Sequence, residues 1–308
     1  GLAFNLSLPL DVPGGNVLNP RRHPPVLRPT LRNGQPNLNY VLGKDDASHT
    51  DIISDDLVIM HTQYSTQWDS LAHVGAMFDT DGDGVPEPVY YNGYRAGEHI
   101  HGPHDAADCG AFHLHTLEQR STSHAHALGM EKMAERCVQG RAVMIDLHAH
   151  VGNQRVNVDY AMLAEILHKD DVRIEAGDMV CLHTGFAEVL LGMNRQPQAD
   201  VLDRSCAVLE GRDPKLMEWI TESGLSVLIA DNYAVEAHPA SPHAGNCASL
   251  PLHEHCLFKL GIHLGELWHL TPLARWLREH KRSRFLLTAP PLRLPGAVGS
   301  PVAPVGTV

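Results

Sequence analysis

Between Arg141 and Thr288 short apolar runs alternate with capped amphipathic segments, and this rhythm leaves few folds open to the chain. Arg141 to Leu147 (RAVMIDL), Asp178 to His183 (DMVCLH), Ser226 to Ala230 (SVLIA) and Arg284 to Thr288 (RFLLT) lack the every-second-residue polarity of half-exposed strands. They read as strands covered on both faces. The segments between them carry helix punctuation. Asp159 is placed to cap a helix reaching His168, and Asp213 caps a helix that opens at Pro214, continues to Ser223 and stops at Gly224. Leu250 to Leu260 and Thr271 to Lys281 predict two more. Strand, helix and strand in succession require crossovers that lay helices on the sheet, so the expected class is α/β.

The remaining stretches set the organisation. With 43% hydrophobic residues among 308, and neither internal repeats nor a long low-complexity linker, residues 1–308 predict one domain. Residues 1–50 are rich in Pro, Gly, Asn and Arg, and Pro20, Pro24, Pro25 and Pro29 forbid regular helix, so this arm is expected to wrap the surface or a partner subunit. Asp56 to His61 (DLVIMH) reads as a strand, and residues 79 to about 125 as a long His-rich excursion. Lys plus Arg number 24 against 36 for Asp plus Glu, a formal charge of −12 that disfavours nucleic acid and anionic membranes as partners. No apolar run approaches the roughly 20 residues of a spanning helix, and the first residues lack the pattern of a signal peptide. The expectation is a cytoplasmic protein with a small-molecule partner and six reduced cysteines, since no CxxC pair occurs.

The most informative segment for chemistry runs from Gln63 to His73 (QYSTQWDSLAH). If residues 67–69 are extended, Gln67 and Asp69 share a face, because side chains alternate along a strand. An amide oxygen and a carboxylate on one face could hold a hard cation, with His73 a few residues on as a proton carrier. The same polar groups could instead cap backbone at a strand-to-loop junction. Tyr64 and Trp68 fit either the core or the wall of a substrate pocket.

Other patterns are weaker. Asp79 to Gly84 (DTDGDG) copies the first half of an EF-hand loop, but position twelve is Tyr90, and Pro86 and Pro88 prevent the exiting helix, so it reads as a solvated turn. The 22 histidines include His99, His101, His104, His113, His115, His124 and His126 in the excursion, which reads as a polar loop near a site entrance. Cys181 with His183 could form a nucleophile and base on one strand face, although an inert buried thiol is the simpler reading. GxSxG, Walker and GxGxxG signatures do not occur, which leaves serine-hydrolase, NTPase and dinucleotide readings without their structural prerequisites.

The Gln63–His73 segment resembles the signature His-x-Gly-Thr-His-x-Asp-x-Pro-x-His of the cyclase family, which includes bacterial kynurenine formamidase and isatin hydrolase. Gln63 and Gln67 stand at its two ligand His positions, Thr66 at the Thr, Asp69 at the ligand Asp and His73 at the catalytic His. Ser65 and Leu71 replace its Gly and Pro. GRAVMIDLHAH, AGDMVCLHTGF (Ala176 to Phe186), IADNYAVE (Ile229 to Glu236), PLHEHCLFKLGIHLGELWHL (Pro251 to Leu270) and APPLRLPGAVGSPVAPV (Ala289 to Val305) resemble later family elements in the same order. The last is similar to the family's final strand and Gly-Ser-Pro turn.

The resemblance implies the swivelling β/β/α fold of that family, with a mixed sheet, flanking helices and assembly as a homodimer or homotetramer. It also implies a second ligand pair, a His on a helix and a later Glu. Glu266 fits the Glu, and His253 is favoured over His255 for the His. The implied activity is a metal-dependent amidohydrolase that cleaves a C–N bond of a small amide, N-formyl arylamine or cyclic imide, with His73 as general acid and base. A ring-closing or dehydrating biosynthetic enzyme and a non-catalytic ligand binder are the alternatives. Two Gln in place of two His weaken a zinc site, because a neutral amide oxygen suits Mn²⁺ or Mg²⁺ better than Zn²⁺. The outcomes are an oxygen-rich site built on Asp69, Glu266 and His253, a shifted site recruiting His61, or no metal.

Overall fold

Four parallel strands, Gln139–Asp146, Met179–His183, Val227–Ala230 and His263–Glu266, form the centre of the computed structural model, which describes residues 1–103, 109 and 123–308. Their register pairs Val143 with Val180, Cys181 with Ile229, and Ile229 with Gly265. Antiparallel strands extend both edges. Arg284–Thr288, Val305–Thr307 and Ala3–Asn5 continue one side, and Gln67–Asp69 followed by Gly299–Pro301 the other, giving a mixed nine-stranded sheet among the described residues.

Alternation along the strands fills both faces, as their apolar composition predicts. Val143, Ile145, Val180, Leu182 and Leu228 pack with Leu163 and Ile166 of the Tyr160–Lys169 helix and with Leu216 and Ile220 of the Pro214–Ser223 helix. Ala142, Met144, Cys181 and Ile229 pack on the other side with Leu273 and Leu277 of the Thr271–Glu279 helix. Each fully buried aliphatic side chain contributes roughly 1.5–3 kcal/mol. Both capped helices begin as expected: the Asp159 carboxylate accepts from the Met162 N–H and that of Asp213 from the Lys215 N–H. Gly224, at φ 68°, closes the second helix.

Several readings need correction. The segment compared to a final strand and Gly-Ser-Pro turn supplies two strands of the main sheet, Gly299–Pro301 and Val305–Thr307. The arm does more than wrap the surface: Ala3–Asn5 pairs with Val305–Thr307, and Leu6, Leu8 and Val12 are buried in the chain's own core. The strand foreseen at Asp56 to His61 ends at Ile59 and pairs with Val26–Pro29 outside the main sheet. Leu250 to Leu260 is one α-helical turn, Pro251–His253, continued as the π-helix Glu254–Leu260, a form that often marks functional sites. Of the excursion's histidines, His104, His113 and His115 lie outside the described residues. No helix among the described residues is long and apolar enough to cross a membrane.

Buried charges lock the ends of the parallel strands. Asp178 accepts from the Arg141 guanidinium at 2.5 Å and from the Glu175 N–H, while Asp231 accepts the N–H groups of Thr184 and Gly185 and the Thr184 hydroxyl. His183 does not serve Cys181. Its Nδ1 donates to Asp146 Oδ1 at 2.7 Å and its Nε2 meets the Thr271 hydroxyl at 3.0 Å, so the base is committed elsewhere, and burial pushes the Cys181 thiol up. Burial opposes a charged His183, but the hydrogen bond to Asp146 and the nearby Asp231 outweigh it and raise its pKa. A raised histidine pKa stabilises the fold below the unfolded value near 6.5, and that contribution fades as pH rises through the folded value. His183→Gln is therefore expected to cost about 1–3 kcal/mol in urea denaturation at pH 6. The gap from wild type should narrow at pH 9; a gap that widens there would contradict the assignment.

Candidate metal centre

The site begins with strand register. Gln67–Asp69 runs antiparallel to His263–Glu266, so Gln67 lies opposite Glu266, Trp68 opposite Gly265 and Asp69 opposite Leu264. Alternation sends Gln67, Asp69 and Glu266 to one face and Trp68 to the other. Trp68 packs edge-on against Trp268 with centroids 5.0 Å apart, and its indole N–H donates to the Ala289 carbonyl. Gly265 permits this pairing, because a Cβ there would stand 2.9 Å from Trp268 Nε1 and 3.1 Å from Trp68 Cζ3.

On the polar face Gln63 Nε2 donates to Asp69 Oδ1 at 2.5 Å. Gln67 Nε2 donates to Glu266 Oε2 at 3.0 Å and to Asp69 Oδ1 at 3.3 Å. Gly299 makes room for the Gln63 side chain, whose Cγ would sit 2.3 Å from any Cβ at that position. From the helix across the site, His253 Nε2 donates to Glu266 Oε1 at 3.1 Å and lies 3.8 Å from Asp69 Oδ2. His253 Nδ1 donates to Glu236 Oε1 at 2.8 Å, and the Glu236 carboxylate also accepts the backbone N–H groups of Leu252 and His253. The His73 ring lies 6.3 Å from that of His253.

These are closely spaced charges in a dry place. Burial pushes Asp69 upward, and the neighbouring carboxylate of Glu266 adds to it; Glu266 is held down by His253 in spite of its own burial. Burial disfavours a charged His253, but its hydrogen bonds to Glu236 and Glu266 override this and push its pKa up to about 10. His73, half-buried, is shifted down mainly by burial.

A divalent cation fits this donor set. One ligand atom each from Asp69, His253 and Glu266 lies within 4.8 Å of the others, and the buried Asp69 Oδ2 and Gln67 Oε1 have no hydrogen-bond partner among the described residues. Glu236 holds His253 with Nε2 facing the carboxylates, as outer-shell carboxylates orient histidine ligands.

Of the residues singled out from sequence, Gln63, Gln67, Asp69, His253 and Glu266 converge here, with His73 beside them. Of the two places open to Trp68, core or pocket wall, it takes the core and is not a substrate-binding residue, because its strand turns it away from the site. Tyr64 lies at the edge, lining a cleft with Gln63 and donating its hydroxyl to the Gly15 carbonyl. His255 faces the Met217 carbonyl and the Thr221 hydroxyl, and His61 pairs with His23, so neither joins the cluster. In the EF-hand look-alike, Asp79 accepts the N–H groups of Gly82 and Gly84 as a turn does, while Arg95 neutralises Asp81 and Glu87. Glu236 had no assigned role in the sequence reading, although it ends a quoted motif. An acidic residue after an apolar strand carries no signal of what it orients.

The sequence matches the Cyclase family model over residues 4–237, a span that includes Asp69 and His73. No curated protein matches it. A crystal structure described as a novel cyclase is 26% identical, with TM-score 0.72, over 100% of this chain and 87% of that one. Isatin hydrolase A from Labrenzia aggregata is 12% identical, with TM-score 0.61, over 99% of this chain and 93% of that one. A predicted metal-dependent hydrolase from Bacillus stearothermophilus is 13% identical, with TM-score 0.51, over 99% and 97%. The last two likenesses concern the fold.

The unpartnered Asp69 oxygen sets a stability test. Asp69→Asn removes a buried charge beside Glu266, so in EDTA the variant should be more stable than wild type by about 1 kcal/mol. Added Mn²⁺ should raise the melting temperature of wild type and leave the variant unmoved. A variant less stable in EDTA, or equally stabilised by Mn²⁺, would oppose the proposed seat.

Proposed function

Because the chain belongs to the cyclase family, with Asp69, His253 and Glu266 converging in a buried seat, we propose that it is a metal-dependent amidohydrolase acting on a C–N bond of a small amide, N-formyl arylamine or cyclic imide. The observation that carries the reading is the buried, unpartnered Asp69 Oδ2 facing His253 and Glu266, with His73 beside them. Asp69 and Glu266 would hold the cation, with His253 joining them on release of its Nε2 proton, and the free Gln67 Oε1 is a further neutral donor. Three oxygens and one nitrogen favour Mn²⁺ or Mg²⁺ over Zn²⁺. When bound, such a cation polarises a carbonyl and lowers the pKa of a water.

The protein's own groups supply the rest. Glu236 fixes the His253 ring and thereby the spacing between His253 and Glu266. Gln63 and Gln67 hold Asp69 Oδ1 and Glu266 Oε2 through their amide N–H groups, which leaves Asp69 Oδ2 facing inward. His73, kept neutral near pH 7 by burial, can accept a proton from the attacking water and return it to the departing nitrogen. A neutral imidazole can do both in one cycle.

His73→Asn is the direct test. It should abolish hydrolysis across a panel of N-formyl arylamines and cyclic imides while leaving ligand affinity within about tenfold, or about 1.4 kcal/mol. Unchanged turnover would remove His73 from the chemistry. Plasma emission analysis of the purified protein is expected to find Mn or Mg, and a chelator should suppress activity that Mn²⁺ restores. Two stoichiometric zinc ions would contradict the donor argument.

A further inference from the structure

The arm segment Asn19-Pro20-Arg21-Arg22-His23 is basic in a chain whose net charge is −12, and it reaches Gln63, a residue of the metal centre. Arg22 is half-buried, and its Nη1 donates to the Gln63 carbonyl at 2.6 Å. That is the one hydrogen bond of its guanidinium among the described residues, where no carboxylate pairs with it. Other arginines of this protein behave differently: Arg141 meets Asp178 at 2.5 Å, Arg195 meets Asp11 at 2.6 Å and Arg278 meets Asp146 at 2.8 Å. Among the described residues Arg155 and Arg212 are half-buried without an ion pair as well, and the Arg212 guanidinium donates to the carbonyls of Ser241 and Ala248.

What sets Arg22 apart from those two is its position, one residue removed from Asp69 through Gln63. Arg22 lines a narrow cleft with Asn19, Gln63, Tyr64, Tyr233 and Leu267. Gln63 forms one wall of that cleft and also bonds Asp69, so cleft and metal centre share a side chain. Leu267 follows Glu266 directly, and the charge of Arg22 is felt at both Glu266 and His73. The arm is pinned here by the Tyr64 hydroxyl on the Gly15 carbonyl and by Asn19 on the Tyr233 hydroxyl. A planar guanidinium with N–H donors to spare binds a carboxylate in a two-pronged manner. In a molecule of net negative charge, a local cation is also what an anionic ligand needs in order to approach.

We infer that Arg22 is the anion-binding residue of the site, and that the substrate carries a carboxylate which lies against Arg22 while its scissile amide faces Asp69 and His73. Calling the ligand a substrate rests on the hydrolytic reading above; the binding does not. Arg22 is thus a specificity-determining residue delivered by the N-terminal arm.

Benzoate and benzamide, which share a shape and differ in charge, are the probes, titrated calorimetrically into the full-length protein. Wild type should bind benzoate at least about tenfold more tightly than benzamide. Arg22→Ala should lose about 10- to 100-fold for benzoate and leave benzamide within twofold, while Arg22→Lys should keep part of the preference. Equal affinity of wild type for the two probes, or an Arg22→Ala variant that retains benzoate, would overturn the inference. So would equal losses for both probes in a variant with an unchanged melting temperature, since that marks Arg22 as a support for Gln63 alone. Turnover plays no part in these readings, so a protein that hydrolyses nothing but binds benzoate through Arg22 would sink the hydrolase proposal and leave this one standing.

Discussion

The antiparallel pairing of Gln67–Asp69 with His263–Glu266 is the constraint on which the site depends. It brings a carboxylate from the first quarter of the chain beside one from the last, inside the sheet and away from water. A slip of one residue would turn Asp69 and Gln67 into the tryptophan core and expose Trp68 to the polar face. The T-shaped Trp68–Trp268 contact, fitted over Gly265, opposes that slip from behind. Packing on one face of the strand therefore sets the electrostatics on the other.

Those electrostatics are costly by themselves. Two buried carboxylates in contact repel, and the molecule lowers the cost with a charged His253 shared between Glu236 and Glu266 and with two glutamine amides directed at Asp69 and Glu266. The compensation is incomplete, since one oxygen of Asp69 accepts no hydrogen bond among the described residues. A fold selected for stability alone would place an asparagine or an apolar residue at 69. On the proposed reading, the stability lost at this point goes with a seat that favours positive charge.

Much of the fold was legible because the signals were local. Asp159, Asp213, Pro214 and Gly224 act within one turn of helix, and the apolar runs around Val143, Val180 and Leu228 each indicate burial on both faces. The tail was harder. Gly299–Pro301 and Val305–Thr307 are short, rich in Gly and Pro, and become strands only because existing edges offer partners. The arm was misread for the same reason: Leu6, Leu8 and Val12 look like isolated apolar residues among prolines until the core that receives them exists. In the site, period-two alternation placed Gln67 and Asp69 on one face, while the choice between His253 and His255 depended on the local helix type. The turn Pro251–His253 aims His253 inward, and the π-helical stretch carries His255 round to Met217 and Thr221. Glu236 and Arg22 gave no sequence signal, because each acts through partners distant in the chain.

The paired glutamines are more than losses of two imidazoles. An imidazole at either position would offer a lone pair to a cation and compete with the carboxylates as a ligand. A glutamine amide turns an N–H toward those carboxylates instead, and its hydrogen bonds fix Asp69 Oδ1 and Glu266 Oε2 in outward roles. What remains facing inward is the second oxygen of Asp69, the Gln67 carbonyl oxygen, and the edge where His253 meets Glu266. That set is small and mostly oxygen, which is the chemistry the proposed single hard cation would need. Gly299 belongs to the same adaptation, because only a residue without Cβ lets Gln63 lie flat enough to reach Asp69. The departure from the motif is thus matched by backbone space around it, as expected of a site rebuilt for a different balance of charge rather than one in decay.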